Sequence, residues 1–306
     1  MAALSLPIST RSMPVPTITT LLPHHSGDPF CLAPDGLCLQ HPALAACPWL
    51  VHGFGLRNRV SRGQPPAGDS SLEQSGEDVK SLAIQNAFVA SLAGKTMAQV
   101  RLRQCHSDGV VCLDRFAPGN PPAEGDAVIT RLSGLLLAVQ VADCLPVLVV
   151  DRDKRILAAV HAGWRGLLAG VVPRTLAAMQ SRYASDPRHC LAVIGPSIGP
   201  CCYEVGQDVA LPFEAAFPHL PQLWRNFQPP GGDLSSGTRL SGAPPRARRM
   251  LDLSAACRFQ LESAGLPAGS VFSHPPCTFC HREVFYSYRA EGGSSGRMLA
   301  AIGKIH

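Results

Sequence analysis

Short runs of apolar and β-branched residues fill the middle of the chain and predict buried strands. Leu135–Val141, Val147–Val150 and Ile156–Val160 follow one another with only brief polar breaks, and Leu191–Ile194 forms a further run. Apolar runs of this length, bounded by turn residues, are typical of strands in a sheet core. The central part of the chain is therefore expected to form the core of a sheet.

Three segments show the spacing or the end signals of helices. A first helix is expected over Val79–Leu92 and a third over Leu253–Ser263, where Asp252 can cap the amino-terminal end. The second is expected over Leu167–Tyr183, with a kink or a late start at Pro173.

Three more apolar runs close the chain as predicted strands: Val271–Ser273, Val284–Tyr288 and Met298–Ile302. Strands thus alternate with helices, and turns of hairpin length join some of the strands. This order of elements predicts an α/β protein with a mixed sheet.

The remaining segments are rich in Gly, Pro and Ser and set the expected domain limits. Residues 1–48 predict a poorly ordered lead with one hairpin at most, and residues 49–306 a single main domain. Within that domain, residues 61–79 are expected to form a long surface loop, and residues 228–249 an exposed insertion.

Composition narrows the classes of function. Hydrophobic residues make up 46% of the 306 positions and charged residues 16%, which predicts a folded chain. The net charge is +5, and the one tight basic cluster, Arg246, Arg248 and Arg249, has no aromatic residues between its members. That pattern argues against nucleic-acid binding and favours a small anionic substrate.

No apolar run reaches the length of a membrane span, and prolines interrupt the first thirty residues wherever a signal sequence would need an apolar core. We therefore expect a cytoplasmic protein that binds no membrane, a monomer or small homo-oligomer, with its twelve cysteines reduced.

Three short segments at predicted strand ends carry residues that bind metals. They are Gln104-Cys105-His106, Ala142-Asp143-Cys144 and Val160-His161-Ala162. Catalytic zinc takes three protein ligands of these types and keeps a fourth position for water or substrate. Spacing alone leaves a second interpretation open, in which a buried thiol and two hydrogen-bonded histidines belong to the core.

Several blocks occur in one order along about two thirds of the chain: Gly125–Thr130, Val141–Val147, His161–Gly166, Ile194–Val205 and Phe285–Arg289, with Gly296-Arg297 after them. Together with Gln104-Cys105-His106, they resemble the laccase-domain, or multicopper polyphenol oxidase, family. That family also includes enzymes described as purine nucleoside phosphorylases and as peptidoglycan editing factors.

The resemblance implies a layered α/β/β/α sandwich and a metal site formed by His106, Cys144 and His161. The implied cofactor is Zn²⁺, and a single Cu²⁺ could replace it at such a site. The implied reaction is cleavage of purine nucleosides (adenosine, inosine, methylthioadenosine) by phosphate, together with adenosine deamination. The partners would then be a purine nucleoside and phosphate.

Five further residues are candidates for roles in that reaction. Arg289 and Asp143 are the predicted catalytic residues. Arg289 would bind an anion, and Asp143 would act as an acid or base or as a supporting carboxylate. Gln104, Arg165 and Asp126 are the predicted substrate contacts, and Asp126 could alternatively support a metal ligand.

Other functions remain open at this point. The same fold and metal could serve hydrolysis of L-Ser from a muropeptide precursor, the editing role, or copper-dependent oxidation of phenols. A four-copper laccase needs His-x-His pairs, and none of the eleven histidines stands two residues from another. Cys277–His281 fits the C-x-x-C-H spacing of haem attachment, but attachment requires export. A Cys144–His161 nucleophile and base would require an empty metal site.

Overall fold

Two six-stranded sheets form the two central layers of the protein. The computed structural model describes residues 22, 27–58, 77–94, 97–226 and 249–305. The strands are β1 (Cys31–Leu32), β2 (Cys38–Gln40), β3 (Leu50–Gly55), β4 (Ala98–Arg101), β5 (Val110–Leu113), β6 (Ala127–Thr130), β7 (Leu135–Val141), β8 (Leu145–Asp151), β9 (Ile156–Ala162), β10 (Cys190–Ile194), β11 (Glu204–Val205), β12 (Trp224–Asn226), β13 (Arg249–Leu251), β14 (Val271–Phe272) and β15 (Met298–Lys304).

The first sheet has the strand order β1-β2-β3-β15-β7-β4 and the second has β14-β10-β8-β9-β6-β5. Most neighbours are antiparallel, but β4 pairs with β7, β5 with β6 and β10 with β14 in parallel. Both sheets are therefore mixed, as predicted. A small sheet of order β11-β13-β12 lies beside them.

The described residues form seven α-helices, and the longer ones cover the outer faces of the two sheets. They are α1 (Pro42–Ala45), α2 (Glu77–Ala93), α3 (Trp164–Ala169), α4 (Val171–Tyr183), α5 (Gln207–Ala216), α6 (Leu253–Ser263) and α7 (Tyr288–Glu291), with short 3-10 turns at Pro187–His189, Pro221–Leu223, Ala268–Ser270 and Gly292–Ser294. The predicted first and third helices are confirmed, and the Asp252 carboxylate accepts the Ala255 amide as the expected cap. None of the helices in the described residues is both long and apolar enough to cross a membrane.

Strand alternation explains why the central runs are apolar at almost every position. In β7, Leu137 and Val139 pack into the core between the two sheets, whereas Leu136 and Ala138 pack against α2. In the second sheet, alternate residues of β8 and β9 face the same inter-sheet core or the helices α4 and α6. A strand covered on both faces has no position for a polar side chain. The layers follow the order α/β/β/α, which confirms the predicted fold class.

The predicted helix over Leu167–Tyr183 is instead two helices, so that prediction was wrong in detail. α3 ends and α4 begins at Gly170, which takes a left-handed φ of 85°. Glycine adopts this conformation without the steric cost of a Cβ. Pro173 lies in the first turn of α4, where the missing N–H has no helical partner to lose, so it causes no kink.

The predicted strand Val284–Tyr288 is not a strand. The amides of Val284 and Phe285 both donate to the carbonyl of His281, which closes a turn. Ser287 then caps the one-turn helix α7 through the amide of Ala290. Val284, Phe285 and Tyr286 are buried, so the run is apolar because the turn packs into the core.

The proposed boundary at residue 48 also needs correction, because residues 27–48 belong to the first sheet. Strands β1 and β2 form the expected hairpin, and β2 pairs with β3. Phe30, Leu39 and Leu44 are fully buried in the core between the sheets. The rest of the predicted lead, most of the predicted loop over residues 61–79, and residues 228–248 of the predicted insertion lie outside the described residues.

Candidate metal centre

Three side chains from separate segments converge at one end of the two sheets. His106 lies in the loop that precedes β5, Cys144 ends the tight turn between β7 and β8, and His161 lies near the end of β9. One nitrogen of each histidine and the Cys144 sulfur all lie within 4.8 Å of one another. The Cys144 Sγ to His106 Nε2 distance is 3.9 Å.

The backbone at two of these segments is unusual. His106 has a φ of 60° and Asp143, next to Cys144, a φ of 80°. Residues other than glycine seldom adopt such angles, and those that do concentrate at functional sites. Here each left-handed residue turns the chain sharply, and the turns bring His106 and Cys144 toward His161.

Asp126 is the group that fixes this arrangement. Its carboxylate accepts hydrogen bonds from the amides of His106 (3.1 Å) and Ser107 (2.6 Å), and from Nδ1 of His161 (2.7 Å). Asp126 is fully buried and does not line the neighbouring cavity. The prediction that Asp126 contacts substrate is therefore corrected: it holds the His161 ring so that Nε2 faces the other two ligands, the alternative role that we considered.

Neighbouring charged and polar groups shift the pKa values of two members of the triad formed by His106, Cys144 and His161. Burial raises the pKa of the Cys144 thiol, but hydrogen bonds from His106 and His161 outweigh it and lower the pKa to about 6. Burial lowers the pKa of His161, but Asp126 and then Cys144 raise it to about 9. The Asp126 pKa lies below its usual range, because hydrogen bonds from His161 and Ser107 outweigh its burial. These contacts favour the thiolate form of Cys144.

This donor set fits a borderline-soft divalent ion. Two imidazole nitrogens and a thiolate supply three of the four positions of a tetrahedral zinc site, and the fourth would face the cavity. The carboxylate behind His161 is the outer partner that metal-bound histidines usually have. The geometry and the donor types thus support the binding of one divalent metal ion.

Gly163 leaves the space that this arrangement needs. A Cβ at this position would lie 2.9 Å from His106 Cδ2 and 3.1 Å from Cys144 Sγ. Real Cβ atoms rarely come this close to their neighbours, so a side chain here would push two of the three ligands apart.

Replacing Gly163 with Ala is therefore expected to weaken metal binding by about 10- to 100-fold, the usual loss when the groups that orient metal ligands are disturbed. Competition with a chromophoric chelator would measure the affinity. Gly269→Ala is the matched control, because an added Cβ there meets nothing within 4 Å. Equal affinities of the two variants would show that His106 and Cys144 do not hold one ion together.

A cavity of about 750 Å³ opens over the triad. Its volume lies within the range of sites that bind small molecules. Four of its lining residues are arginines, namely Arg103, Arg165, Arg289 and Arg297, whereas Asp143 is the one lining carboxylate among the described residues. The cavity is therefore suited to an anion.

Three of these arginines lie over aromatic rings that also line the cavity. The guanidinium of Arg165 lies 4.3 Å from the ring centre of Trp164, that of Arg289 lies 5.2 Å from Tyr203, and that of Arg297 lies 5.6 Å from Tyr288. Such contacts restrict long side chains that would otherwise move freely. The cavity thus combines positive charge with flat apolar surfaces.

Two predicted site residues line the cavity but have their polar atoms occupied. The Asp143 carboxylate accepts from Thr278 Oγ1 at 2.5 Å and from the Arg289 amide at 2.6 Å. The Gln104 side chain donates to the Gln140 carbonyl and accepts from the Gln140 amide, at 2.8 and 2.7 Å. Asp143 therefore anchors α7, and Gln104 ties its loop to β7.

Arg289 and Arg165, both predicted site residues, line the cavity, and Arg289 belongs to the helix α7. Arg289 also donates to the Glu204 carbonyl at 2.9 Å, which fixes the position of its guanidinium.

Arg297 is a lining residue to which sequence reasoning assigned no role. Its amide donates to Ser81 Oγ and its carbonyl accepts from Gln85 Nε2, so α2 holds it in place. The Gly296-Arg297 block was the available signal. Its partners on α2 lie more than two hundred positions away, which no local pattern reveals.

Comparisons with known proteins identify the family. Residues 52–304 match the family model described as multi-copper polyphenol oxidoreductase laccase, and the chain belongs to that family.

Among its relatives is the purine nucleoside phosphorylase YlmD of Geobacillus stearothermophilus, 34% identical over 62% of each chain, so the match spans less than two thirds of that relative's length. A purine nucleoside phosphorylase of Deinococcus radiodurans is 34% identical over 89% of this chain and 94% of its own. The adenosine deaminase RL5, from an unknown prokaryotic organism, is 33% identical over 65% of this chain and 72% of its own. The crystal structure of YlmD matches 89% of this chain and 100% of its own with a TM-score of 0.71 and 27% identity.

The relatives are thus named as enzymes of purine nucleosides, although the family carries the name of laccases. Among the described residues, the groups able to bind a metal are the triad and a cluster of four cysteines. Neither is the histidine-rich set that a multicopper centre requires.

Proposed function

We propose that this chain is a zinc-dependent purine nucleoside phosphorylase that acts on adenosine, inosine and methylthioadenosine, and that also deaminates adenosine. The observation that carries this proposal is the position of the His106/Cys144/His161 triad, at the wall of a cavity lined by arginines stacked on aromatic rings. The names of the relatives support the same substrates.

The two parts of the substrate match the two kinds of lining residue. Phosphate is an anion whose oxygens pair with guanidinium groups in a bidentate manner, and Arg289 and Arg165 are the proposed donors. A purine base is a flat aromatic system that can stack on Trp164, Tyr203 or Tyr288. The ribose would then lie between base and phosphate, with its C1′ facing the attacking oxygen.

Three further residues would hold the metal ligands and Arg289 in position. Asp126 is a positioning residue that orients His161, and Asp143 is a positioning residue that holds α7 and therefore Arg289. Gln104 keeps the loop of His106 attached to β7. Arg289 and Arg165 offset the negative charge that grows as the glycosidic bond breaks. A bound zinc ion would supply Lewis-acid polarisation of a phosphate or water oxygen.

Product analysis of the purified, zinc-loaded protein tests the proposal. With adenosine and phosphate we expect adenine and ribose 1-phosphate, together with inosine and hypoxanthine that arise through deamination; without phosphate we expect only inosine and ammonia. Release of L-Ser from a muropeptide precursor, with no product from any of the three nucleosides, would replace the proposal with the editing function. Oxygen uptake with a phenol by the copper-loaded protein, again with nucleosides unchanged, would replace it with the oxidase function.

Zinc binding at the triad is expected to depend on pH in two steps. Binding requires a thiolate at Cys144 and a neutral ring at His161, whose pKa values are about 6 and about 9. Between these values His161 must lose a proton, so affinity rises about tenfold per pH unit; below the lower value Cys144 must lose one too, and affinity falls more steeply.

Calorimetric titration in buffers of different ionisation enthalpy would count the protons released. The difference between the wild type and His161→Gln isolates the contribution of this site. An affinity that does not change with pH would contradict the proposed ligands.

A further inference from the structure

Four cysteines form a second group of potential metal ligands, separate from the triad. Cys201 and Cys202 lie in the turn before β11, and Cys277 and Cys280 lie in the loop after β14. Their four sulfur atoms all lie within 4.8 Å of one another. Nothing in the reaction proposed above uses them.

The distances between the sulfur atoms can be compared with those of a disulfide, of a site for one metal ion and of an iron–sulfur cluster. Cys280 Sγ lies 3.5 Å from Cys201 Sγ and 3.4 Å from Cys202 Sγ. A disulfide requires about 2.05 Å. In a tetrahedral site with Zn–S bonds of about 2.3 Å, neighbouring sulfurs are about 3.8 Å apart. An iron–sulfur cluster places iron and sulfide between its thiolates and spreads them further. The two measured distances, and the 4.8 Å limit on all the others, are compatible with a single ion and not with a disulfide or an iron–sulfur cluster.

The two loops are already joined by their backbones, independently of any ion. The amide of Ser197 donates to the carbonyl of Pro276, and the amide of Thr278 donates to the carbonyl of Ser197. These bonds keep the two cysteine pairs facing each other. The fold therefore brings together two cysteine pairs that are about 75 residues apart in the sequence, so the four potential ligands are in place before an ion binds.

The cluster also has the outer contacts of a thiolate site. The amide of Gly199 donates to Cys277 Sγ at 3.2 Å. Backbone amides that point at sulfur are common partners of metal-bound cysteines, because they offset the negative charge of the thiolates.

We propose that Cys201, Cys202, Cys277 and Cys280 bind one Zn²⁺ ion as a structural site with four thiolate ligands. The four thiols would release their protons on binding, and no position would remain open for water or substrate. This explains the C-x-x-C spacing of Cys277 and Cys280 without haem, since both sulfurs face the Cys201-Cys202 pair.

The ion would stabilise one wall of the cavity. Thr278, next to Cys277, donates to the Asp143 carboxylate, and the amide of Ile198 donates to the Asp143 carbonyl. Tyr203, next to Cys202, lies under the guanidinium of Arg289. An ion that joins the two loops would therefore keep Asp143, Tyr203 and Arg289 in fixed positions relative to one another. None of the four cysteines itself lines the cavity.

Metal analysis of protein purified without oxygen or chelator tests the proposal. We expect the wild type to hold one zinc per chain more than Cys280→Ser, and Cys31→Ser, which alters an exposed thiol outside the cluster, to match the wild type. The difference in zinc content between the wild type and Cys280→Ser measures binding by this cluster alone. The difference between the wild type and His161→Gln measures binding by the triad. Failure of one site is thus distinguishable from failure of the other.

A second measurement does not depend on a cluster variant that folds. His161→Gln loaded with Co²⁺ should show the intense visible bands of a tetrahedral tetrathiolate complex, and addition of Zn²⁺ should abolish them. Absence of these bands in folded, reduced protein would overturn the proposal. Disulfides among the four cysteines in the oxygen-free preparation, detected by intact mass, would overturn it as well.

Discussion

Replacing His161 with Gln is expected to remove the zinc of the triad and to lower nucleoside phosphorolysis by at least about 100-fold. His161 is buried, and Asp126 fixes its ring so that Nε2 faces Cys144 and His106. Glutamine has a similar length and can still donate to Asp126, so the buried carboxylate keeps a partner. It offers no imidazole nitrogen, and an amide is a poor ligand for zinc.

Metal content and the rates of phosphorolysis and deamination should be measured on the same preparation, and thermal unfolding should show that the fold persists. His189→Gln is the matched control, because His189 makes a similar 2.7 Å contact with Asp153 at the exposed surface. Full activity of His161→Gln would show that the reaction does not use the triad.

Arg289→Lys is expected to lower the phosphorolysis of adenosine by about 10- to 1000-fold while zinc and fold are retained, the range for loss of one preorganised electrostatic contact. The Arg289 guanidinium lines the cavity, and Tyr203 and the Glu204 carbonyl hold it in place. Lysine has no planar fork, so it cannot hold a phosphate in two contacts while keeping the contact to Glu204.

Deamination should suffer less, because it uses water and not phosphate. Kinetics of both reactions on one zinc-loaded sample would separate the two effects. Arg282→Lys is a suitable control, since Arg282 is an exposed arginine in the preceding turn that does not line the cavity. If phosphorolysis by Arg289→Lys equals that of the wild type, Arg289 is a structural residue.

The sequence predicted the layers of the fold and the three potential metal ligands well. Buried strands such as β7 and β8 are apolar at almost every position, because one face packs on the other sheet and the opposite face on helices. The blocks around His106, Cys144 and His161 are short and adjacent to those strands, so the resemblance carried them to the correct positions.

Predictions failed where the same residues suit two local structures. Val284–Tyr288 is as apolar as a strand, yet it forms a buried turn and the start of α7, because burial and not sheet pairing makes it apolar. The segment before residue 49 is rich in turn residues, yet Phe30 and Leu44 pack into the core. The apolar residues of a segment predict that it is buried, but they do not predict which elements of the fold pack against it.

The amino-acid sequence by itself therefore determined the α/β character of this protein and its central strands, and the family resemblance supplied the three potential ligands. Only the tertiary structure decided the role of Asp126, which lies directly before β6 and meets His161 near the end of β9, and the convergence of Cys201 and Cys202 with Cys277 and Cys280. The physical reason is that burial follows a local period that can be read along the chain. A contact between distant side chains depends on sheet register and on loop conformation, which the whole fold sets together.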